Sequence, residues 1–452
     1  MAASPPPRRS QTRSRDLERH ASLFAKRTRV MRSSAMRDMM AITARPEVIS
    51  LAGGLPDTST FPAEVFTREM EHIAKTSLTE ALQYGPTEGL DSVREQIAKV
   101  MAAEGAIVDP ADITPTTGGQ QAIDLITKVL IDPGDVLICD APTYPGAIPT
   151  FCSYEAEIVQ IENDHDGMKI DLLEETLASL AAQGKRPKFI YSIPTFQNPG
   201  GSTLSLERRQ RLVEIARREE ILVIEDNPYG LLRYEGEPLP TLYSLDGGDY
   251  VVYIGTFSKV LSAGLRIGWL VSPTPIREKV VLGKGASDLC TSTLTQEFAA
   301  RYFAEGAWEE YIDELCAIYK NRRDAMIGAM SEYFPHGATW NKPEGGLFIW
   351  ATLPDVLNTG DLLAKALSQN VAFVPGTAGY VDGRGASSMR LNFSGVKEDQ
   401  IIEGIRRIGA VAQEQLKLYE TMTNTNEMKL PPSESTDGGG SEMKLPPTGG
   451  PS

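Results

Sequence analysis

Cysteine is scarce. Four residues, Cys139, Cys152, Cys290 and Cys316, are spread over 452 positions without a C-x-x-C pair. That excludes a disulfide framework and a cysteine-based zinc motif, and it fits a reducing compartment. Histidine is equally rare, and His20, His72, His165 and His336 do not cluster. No metal site is expected. No apolar run reaches the roughly 18 residues that a membrane span needs. The first residues lack the apolar stretch of a secretory signal, although their Arg/Ser bias mildly resembles a transit peptide. Walker A and G-x-G-x-x-G are both missing, so neither a nucleoside triphosphate nor a dinucleotide is indicated. The expectation is a cytoplasmic protein with no metal and no membrane contact.

Charge is plentiful but uneven. Lys plus Arg is 45 and Asp plus Glu is 60, a net charge of −15. Residues 1–37 hold ten basic and two acidic side chains, a balance of +8, which leaves −23 for the rest. A body this acidic repels nucleic acid phosphates, so no nucleic acid partner is expected. Hydrophobic residues are 41% of the chain, enough for an ordinary globular core. At about 150 residues per domain, the length suggests two or three domains.

Composition and pattern divide the chain. Residues 1–20 read as a disordered basic arm and 421–452 as a disordered tail. In that tail the hexapeptide EMKLPP occurs twice, at Glu427–Pro432 and Glu442–Pro447. Between the ends, β-branched apolar runs alternate with amphipathic stretches. The runs are VLICD (136–140), KFIYSI (188–193), ILVIED (221–226) and YVVYIGT (250–256). The stretch 204–220 places Leu206, Leu212, Ile215 and Ala216 at helical spacing. This alternation predicts an α/β fold with a mostly parallel sheet covered on both faces. Residues 61–330 are expected to form this large domain. Residues 331–420 read as a smaller α+β domain, and 21–60 as a segment packing against it.

Polar residues follow the apolar runs, where open α/β sheets bind ligands. Asn198 comes shortly after KFIYSI, Asp226 ends ILVIED, and Lys259 follows YVVYIGT. Taken singly, each has a bland reading as a turn residue, a helix cap or a surface lysine. Together at matching strand ends, they point to a site. Burial lowers a lysine pKa, as a Schiff-base lysine requires. Gly118 and Gly119 open a predicted helix whose free N–H groups suit a phosphate. Arg266, in SKVLSAGLRIGW, is a candidate fork on the same phosphate. An anchored phosphate, a Schiff-base lysine and a carboxylate for a ring nitrogen describe a pyridoxal phosphate site.

The motifs in order, ISLAGGLPD (49–57), QYGPTEGL (83–90), TTGGQQAIDL (116–125), APTYPGA (141–147), PTFQNPGG (194–201), EDNPYG (225–230), TFSKVLSAGLRIGW (256–269), PEGGLFIW (343–350) and MRLNFS (389–394), run through most of the chain. In them the sequence resembles the fold-type I aminotransferases of class I/II, most closely the 2-aminoadipate and kynurenine-aminotransferase-like branch. The resemblance implies a seven-stranded, mostly parallel sheet. It implies transfer of an amino group from 2-aminoadipate, an aromatic or a branched aliphatic amino acid to 2-oxoglutarate, with pyridoxal 5′-phosphate as cofactor. Lys259 is then the catalytic lysine. Asp226 pairs with the ring nitrogen, Asn198 and Tyr229 bond the phenolate oxygen, and Tyr144 stacks on the ring. Gly118, Gly119, Gln120, Ser258 and Arg266 hold the phosphate, and Tyr84 reaches it from the neighbouring subunit of a homodimer. Arg390 clamps the substrate carboxylate, with Gly54 and Asn198 beside it. Ser34 and Arg37 fall where the branch places a substrate-covering helix. Two positions depart from the family pattern: Gly119 stands where a Ser or Thr is usual, and Asn198-Pro199-Gly200-Gly201 where N-P-T-G is usual. The same site supports β-elimination, so a C–S lyase is the alternative enzyme. A transcription regulator with an aminotransferase-like domain needs a winged helix-turn-helix, which the 48 residues before ISLAGG are too few to supply.

Overall fold

A computed structural model describes residues 20–31, 45–305 and 307–427. The first strand is β1 (Ile49–Ser50). The next eight form one sheet: β2 (Ile113–Thr117), β3 (Val136–Ala141), β4 (Glu157–Asp164), β5 (Gly167–Met168), β6 (Phe189–Ser192), β7 (Leu222–Asp226), β8 (Val251–Thr256) and β9 (Ile267–Val271). Their order across the sheet is β2-β9-β8-β7-β6-β3-β4-β5. Strands β8, β7, β6, β3 and β4 run parallel. β9 is antiparallel to both β8 and β2. The eighth strand, beyond the seven expected, is β5, a two-residue return from β4. β3 and β6 are buried at every position, and β8 at all but its last. That is why they read as continuous apolar runs rather than alternating ones.

The helix Leu206–Glu219 shows how the sheet is covered. Ser205 caps it by accepting from the Arg208 N–H, and Glu220 ends it in the left-handed region at φ 51°. Leu212, Ile215 and Ala216 face the sheet as expected, but Leu206 is 39% exposed. The buried position belongs to Arg209 instead. Its guanidinium donates to the carbonyls of Leu204, Pro194 and Pro240 and to the Thr195 hydroxyl, which satisfies it without a carboxylate.

A second sheet follows, from β10 (Thr339–Trp340), β11 (Phe348–Thr352), β12 (Val371–Ala372), β13 (Val374–Pro375) and β14 (Ser388–Asn392). Four of these make an antiparallel sheet in the order β10-β11-β14-β13, while β12 pairs in parallel with β1. Residues 49–50 therefore belong with the second half of the chain. The last helix, Glu398–Glu427, continues past residue 420 into the stretch expected to be disordered. There Thr421 and Thr423 bond back to the carbonyls of Lys417 and Tyr419, which satisfies their hydroxyls along the helix. Among the described residues, no helix is long and apolar enough to cross a membrane.

Candidate active site

β3, β6, β7 and β8 end on one edge of the large sheet, and the polar residues gather beyond it. Asp226 is the last residue of β7 and is buried. Its Oδ2 accepts from the Tyr191 hydroxyl of β6 at 2.5 Å. Burial pushes the Asp226 carboxyl up to about 6, against the Tyr191 bond and the Lys259 charge. Tyr191 is fully buried in the run KFIYSI, where the sequence does not single it out. A tyrosine next to a strand-end carboxylate in a parallel sheet was the available signal, but it needs the β6–β7 register to be seen.

The turn that carries Asn198 is fixed from below. Asp140, at the end of β3, accepts from Ser192 Oγ at 3.2 Å and from the Ile193 N–H at 3.1 Å. The Gln197 amide donates to Pro142 O and accepts from the Gly200 N–H, each at 2.6 Å. Asn198 is then held from two sides. Its Nδ2 donates to the Tyr229 hydroxyl at 3.2 Å, and its Oδ1 accepts from Arg390 Nη1 at 2.9 Å.

Arg390 reaches the site from β14, paired between Trp350 of β11 and Val374 of β13. It is 1% exposed. Its Nη2 donates to Ala52 O at 2.7 Å and Gly53 O at 3.3 Å, and its guanidinium lies 4.4 Å over the Phe348 ring. Burial pushes it down to about 10. Lys259 Nζ donates to Gly54 O at 2.7 Å. Burial and the charges of Arg390 and Arg266 push that amine down to about 8, while Asp226 opposes them. Segment 52–54 is thus tied to both cations.

At the other end, Gly118 has φ +72°, and a Cβ there would run into the Arg266 guanidinium. On β9, a Cβ on Gly268 would lie 2.6 Å from both Gly118 C and Gly119 N. The glycine turn therefore lies flat against β9, with its helix N-terminus free. Gly119 is different. Its nearest neighbour would be Ile254 Cγ2 at 3.7 Å, so a Cβ there meets only ordinary van der Waals contact. Gln120 offers its backbone, because its side-chain amide is engaged by Gly146 O and Thr150 Oγ1. Arg266 donates to Ala263 O and Thr117 O. Ser258 Oγ lies 2.9 Å from Thr256 Oγ1, which is itself 3.0 Å from Ile267 O. Thr256 was not singled out in the sequence, where it reads as the last residue of a strand.

These groups line one cavity of about 610 Å³. Its wall includes Gly54, Gly119, Gln120, Tyr144, Asn198, Asp226, Tyr229, Ser258, Lys259, Arg266 and Arg390, all expected, together with Leu55 and Phe348. Gly118 lies beneath Arg266. Tyr84 is elsewhere: it is 78% exposed on this chain and not part of the wall. Ser34 and Arg37 lie outside the described residues. The arrangement offers a helix N-terminus and an arginine for a dianion, a carboxylate for a cationic ring nitrogen, an amine of depressed pKa, and a buried guanidinium for a carboxylate.

The family model for class I and II aminotransferases matches residues 46–408. The aromatic-amino-acid aminotransferase 1 of Thermococcus litoralis is 43% identical, over 87% of this chain and 95% of its own. A crystal structure of Pyrococcus horikoshii kynurenine aminotransferase, in complex with PMP and with kynurenine as substrate, superposes with a TM-score of 0.85 at 43% identity, covering 90% of this chain and 100% of that one. An alpha-aminoadipate aminotransferase from Thermus thermophilus, complexed with N-(5′-phosphopyridoxyl)-L-leucine, gives 0.82 at 33% identity, covering 88% and 99%.

Proposed function

The chain belongs to the class I and II aminotransferases, and we propose on that premise that its amino donors are aromatic amino acids, 2-aminoadipate and branched aliphatic amino acids, with 2-oxoglutarate as acceptor. It is a pyridoxal-phosphate-dependent aminotransferase of fold type I, acting on small amino and 2-oxo acids. The donor range rests on one observation, the apolar wall beside the buried Arg390. Phe348 lies under its guanidinium, and Leu55 and Tyr144 line the same cavity. An aromatic or aliphatic side chain gains by leaving water there. Among the described residues, the cations of the wall are Lys259, Arg266 and Arg390. A distal carboxylate, as in 2-aminoadipate, therefore falls to Arg37 in this reading.

The residues fit the cofactor. Gly118, Gly119, Gln120, Ser258 and Arg266 would hold its phosphate, and Asp226, Asn198, Tyr229 and Tyr144 its ring. Bound there, pyridoxal phosphate supplies an aldehyde for amines and a protonated ring that accepts electron density. Asp226 keeps that ring nitrogen protonated, and Tyr191 occupies one of its oxygens so that the carboxylate cannot swing away. Arg390 binds the substrate carboxylate in two parallel bonds. Lys259 takes the proton from the substrate Cα, a task that its depressed pKa suits.

Two finer readings complete the proposal. The active unit is a homodimer in which Tyr84 reaches the neighbouring phosphate. In support, Leu82 and Tyr84 are 69% and 78% exposed, on a segment that Thr293 Oγ1 pins through the carbonyls of Ala81 and Gln83. The compartment is the cytoplasm, in keeping with only four cysteines in 452 residues and no C-x-x-C pair.

The test of the donor range is a screen of amino acids against 2-oxoglutarate, repeated with Arg37→Ala. Turnover of phenylalanine, kynurenine and leucine should survive the substitution, while that of 2-aminoadipate falls. Equal effects on leucine and 2-aminoadipate would remove Arg37 from the reading. A second measurement follows from the amine near 8. Only the free base attacks an aldehyde, so capture of pyridoxal phosphate by the apoprotein should speed up as pH rises through about 8, as read by stopped-flow absorbance. A rate that rises only near the ordinary lysine value, about 10.4, would contradict it.

A further inference from the structure

Behind the glycine turn lies a charged cluster that the reaction does not touch. Lys284, on the helix Thr274–Ser287, is fully buried. A buried ammonium is costly unless it is paired. Here Nζ donates to both oxygens of Asp288, at 2.9 and 3.0 Å, and to Gln121 Oε1 at 3.1 Å. Asp288 Oδ2 also accepts from Gln121 Nε2 at 2.6 Å and from Thr117 Oγ1 at 3.0 Å. Gln121 Oε1 accepts in addition from the Thr117 N–H at 2.7 Å. The remaining polar group of Thr117, its carbonyl, accepts from Arg266 Nη2 at 3.3 Å. Every polar group of the residue before Gly118 is therefore bound, through three bonds that run to Asp288, to Gln121 and to Arg266.

We propose that Lys284 and Asp288 are positioning residues for the cofactor phosphate: by locking Thr117 and Gln121 they aim the free N–H groups of the Gly118–Gln120 turn, and the Arg266 fork, at that dianion. The proposal rests on the phosphate assignment made above. The physical reason is preorganisation. Backbone donors at a helix N-terminus hold an anion well when they need not reorganise on binding. Gly118 and Gly119 have no side chains with which to fix themselves, so a neighbour must do it. The pair also solves a sign problem. Asp288 alone would place a bare carboxylate behind a cup built for an anion. Lys284 neutralises it and leaves its acceptor capacity for Thr117 and Gln121.

The test compares two probes on the apoprotein, pyridoxal phosphate and phosphate-free pyridoxal. Both react with Lys259, but only one uses the cup. Asp288→Asn should weaken pyridoxal phosphate by about tenfold or more, while pyridoxal stays within about twofold. Lys284→Met should be worse for pyridoxal phosphate, since it leaves Asp288 unneutralised. If the two probes weaken together, the pair merely stabilises the fold, and the proposal is overturned. It is equally overturned if pyridoxal phosphate binds unchanged. Should the buried variants fail to fold, Thr117→Val removes one bond to Asp288 at a partly exposed residue. It should show the same selective loss on a smaller scale, and an unchanged ratio of the two affinities would refute the role. Wild-type protein that bound pyridoxal as tightly as pyridoxal phosphate would instead refute the phosphate assignment itself.

Discussion

Lys259→Ala is expected to abolish both the visible absorbance of lysine-bound cofactor and transamination, lowering turnover by on the order of 10⁴-fold or more. No other group can take over. Among the described residues, the wall's other cations are Arg266 and Arg390, and a guanidinium keeps its proton at any working pH. Nor is the effect one of lost structure. Lys259 makes its side-chain bond to Gly54 O, at an open cavity rather than in a packed core. The variant should therefore remain folded, with a thermal midpoint within a few degrees of the parent. Retention of either the absorbance or the activity would show that the lysine is misassigned.

Arg390→Ala should lower kcat/KM for every amino donor and every 2-oxo acid by about two to three orders of magnitude. This corresponds to the ~2–5 kcal/mol that removal of one partner of a buried charged bond costs. Arg390→Lys should recover little of the loss, because an ammonium cannot present two parallel donors to a carboxylate. Part of the defect would act through Asn198, which loses its Nη1 partner. Amines without a carboxylate separate the two contributions. They should react almost as fast in the variant as in the parent. If they suffer as much as amino acids do, Arg390 serves Asn198 and not the substrate.

The residues found in the sequence share one property. Asp226 ends an apolar run and Asn198 and Lys259 closely follow one, and a polar residue where a buried strand stops is visible without coordinates. Tyr191 and Thr256 have no such contrast, because each ends or continues a run that reads as core. Their roles depend on which strand is the neighbour, and β6 meets β7 only through a crossover. Lys284 and Asp288 are hidden for the opposite reason. They belong to TPIREKVVLGKGASD, which reads as an ordinary charged surface helix, yet Lys284 faces inward. The parallel body of the sheet was legible from alternating elements. The antiparallel insertion of β9 between β8 and β2 was not, since its apolar run RIGWLV has the composition of a parallel strand. Arg209 shows the same limit on a helix, where a guanidinium satisfied by carbonyls takes a core position that the apolar pattern assigned to Leu206.

The two ends of the cavity come from different parts of the chain. The end proposed for the phosphate and ring is assembled from adjacent strand ends of the large sheet and from a turn that Gly268 holds without clearance. The end proposed for the substrate carboxylate and its apolar wall come from residues 52–55, Phe348 and Arg390, which ride on the small sheet and β1. Variation is therefore unequally affordable. Substitutions at Leu55 or around Phe348 are expected to redirect the enzyme to another amino acid and leave its cofactor in place, whereas Gly118 can change only in concert with Arg266, and Gly268 only in concert with the turn. A library meant to evolve new substrates should be drawn from the first set and should leave the second alone.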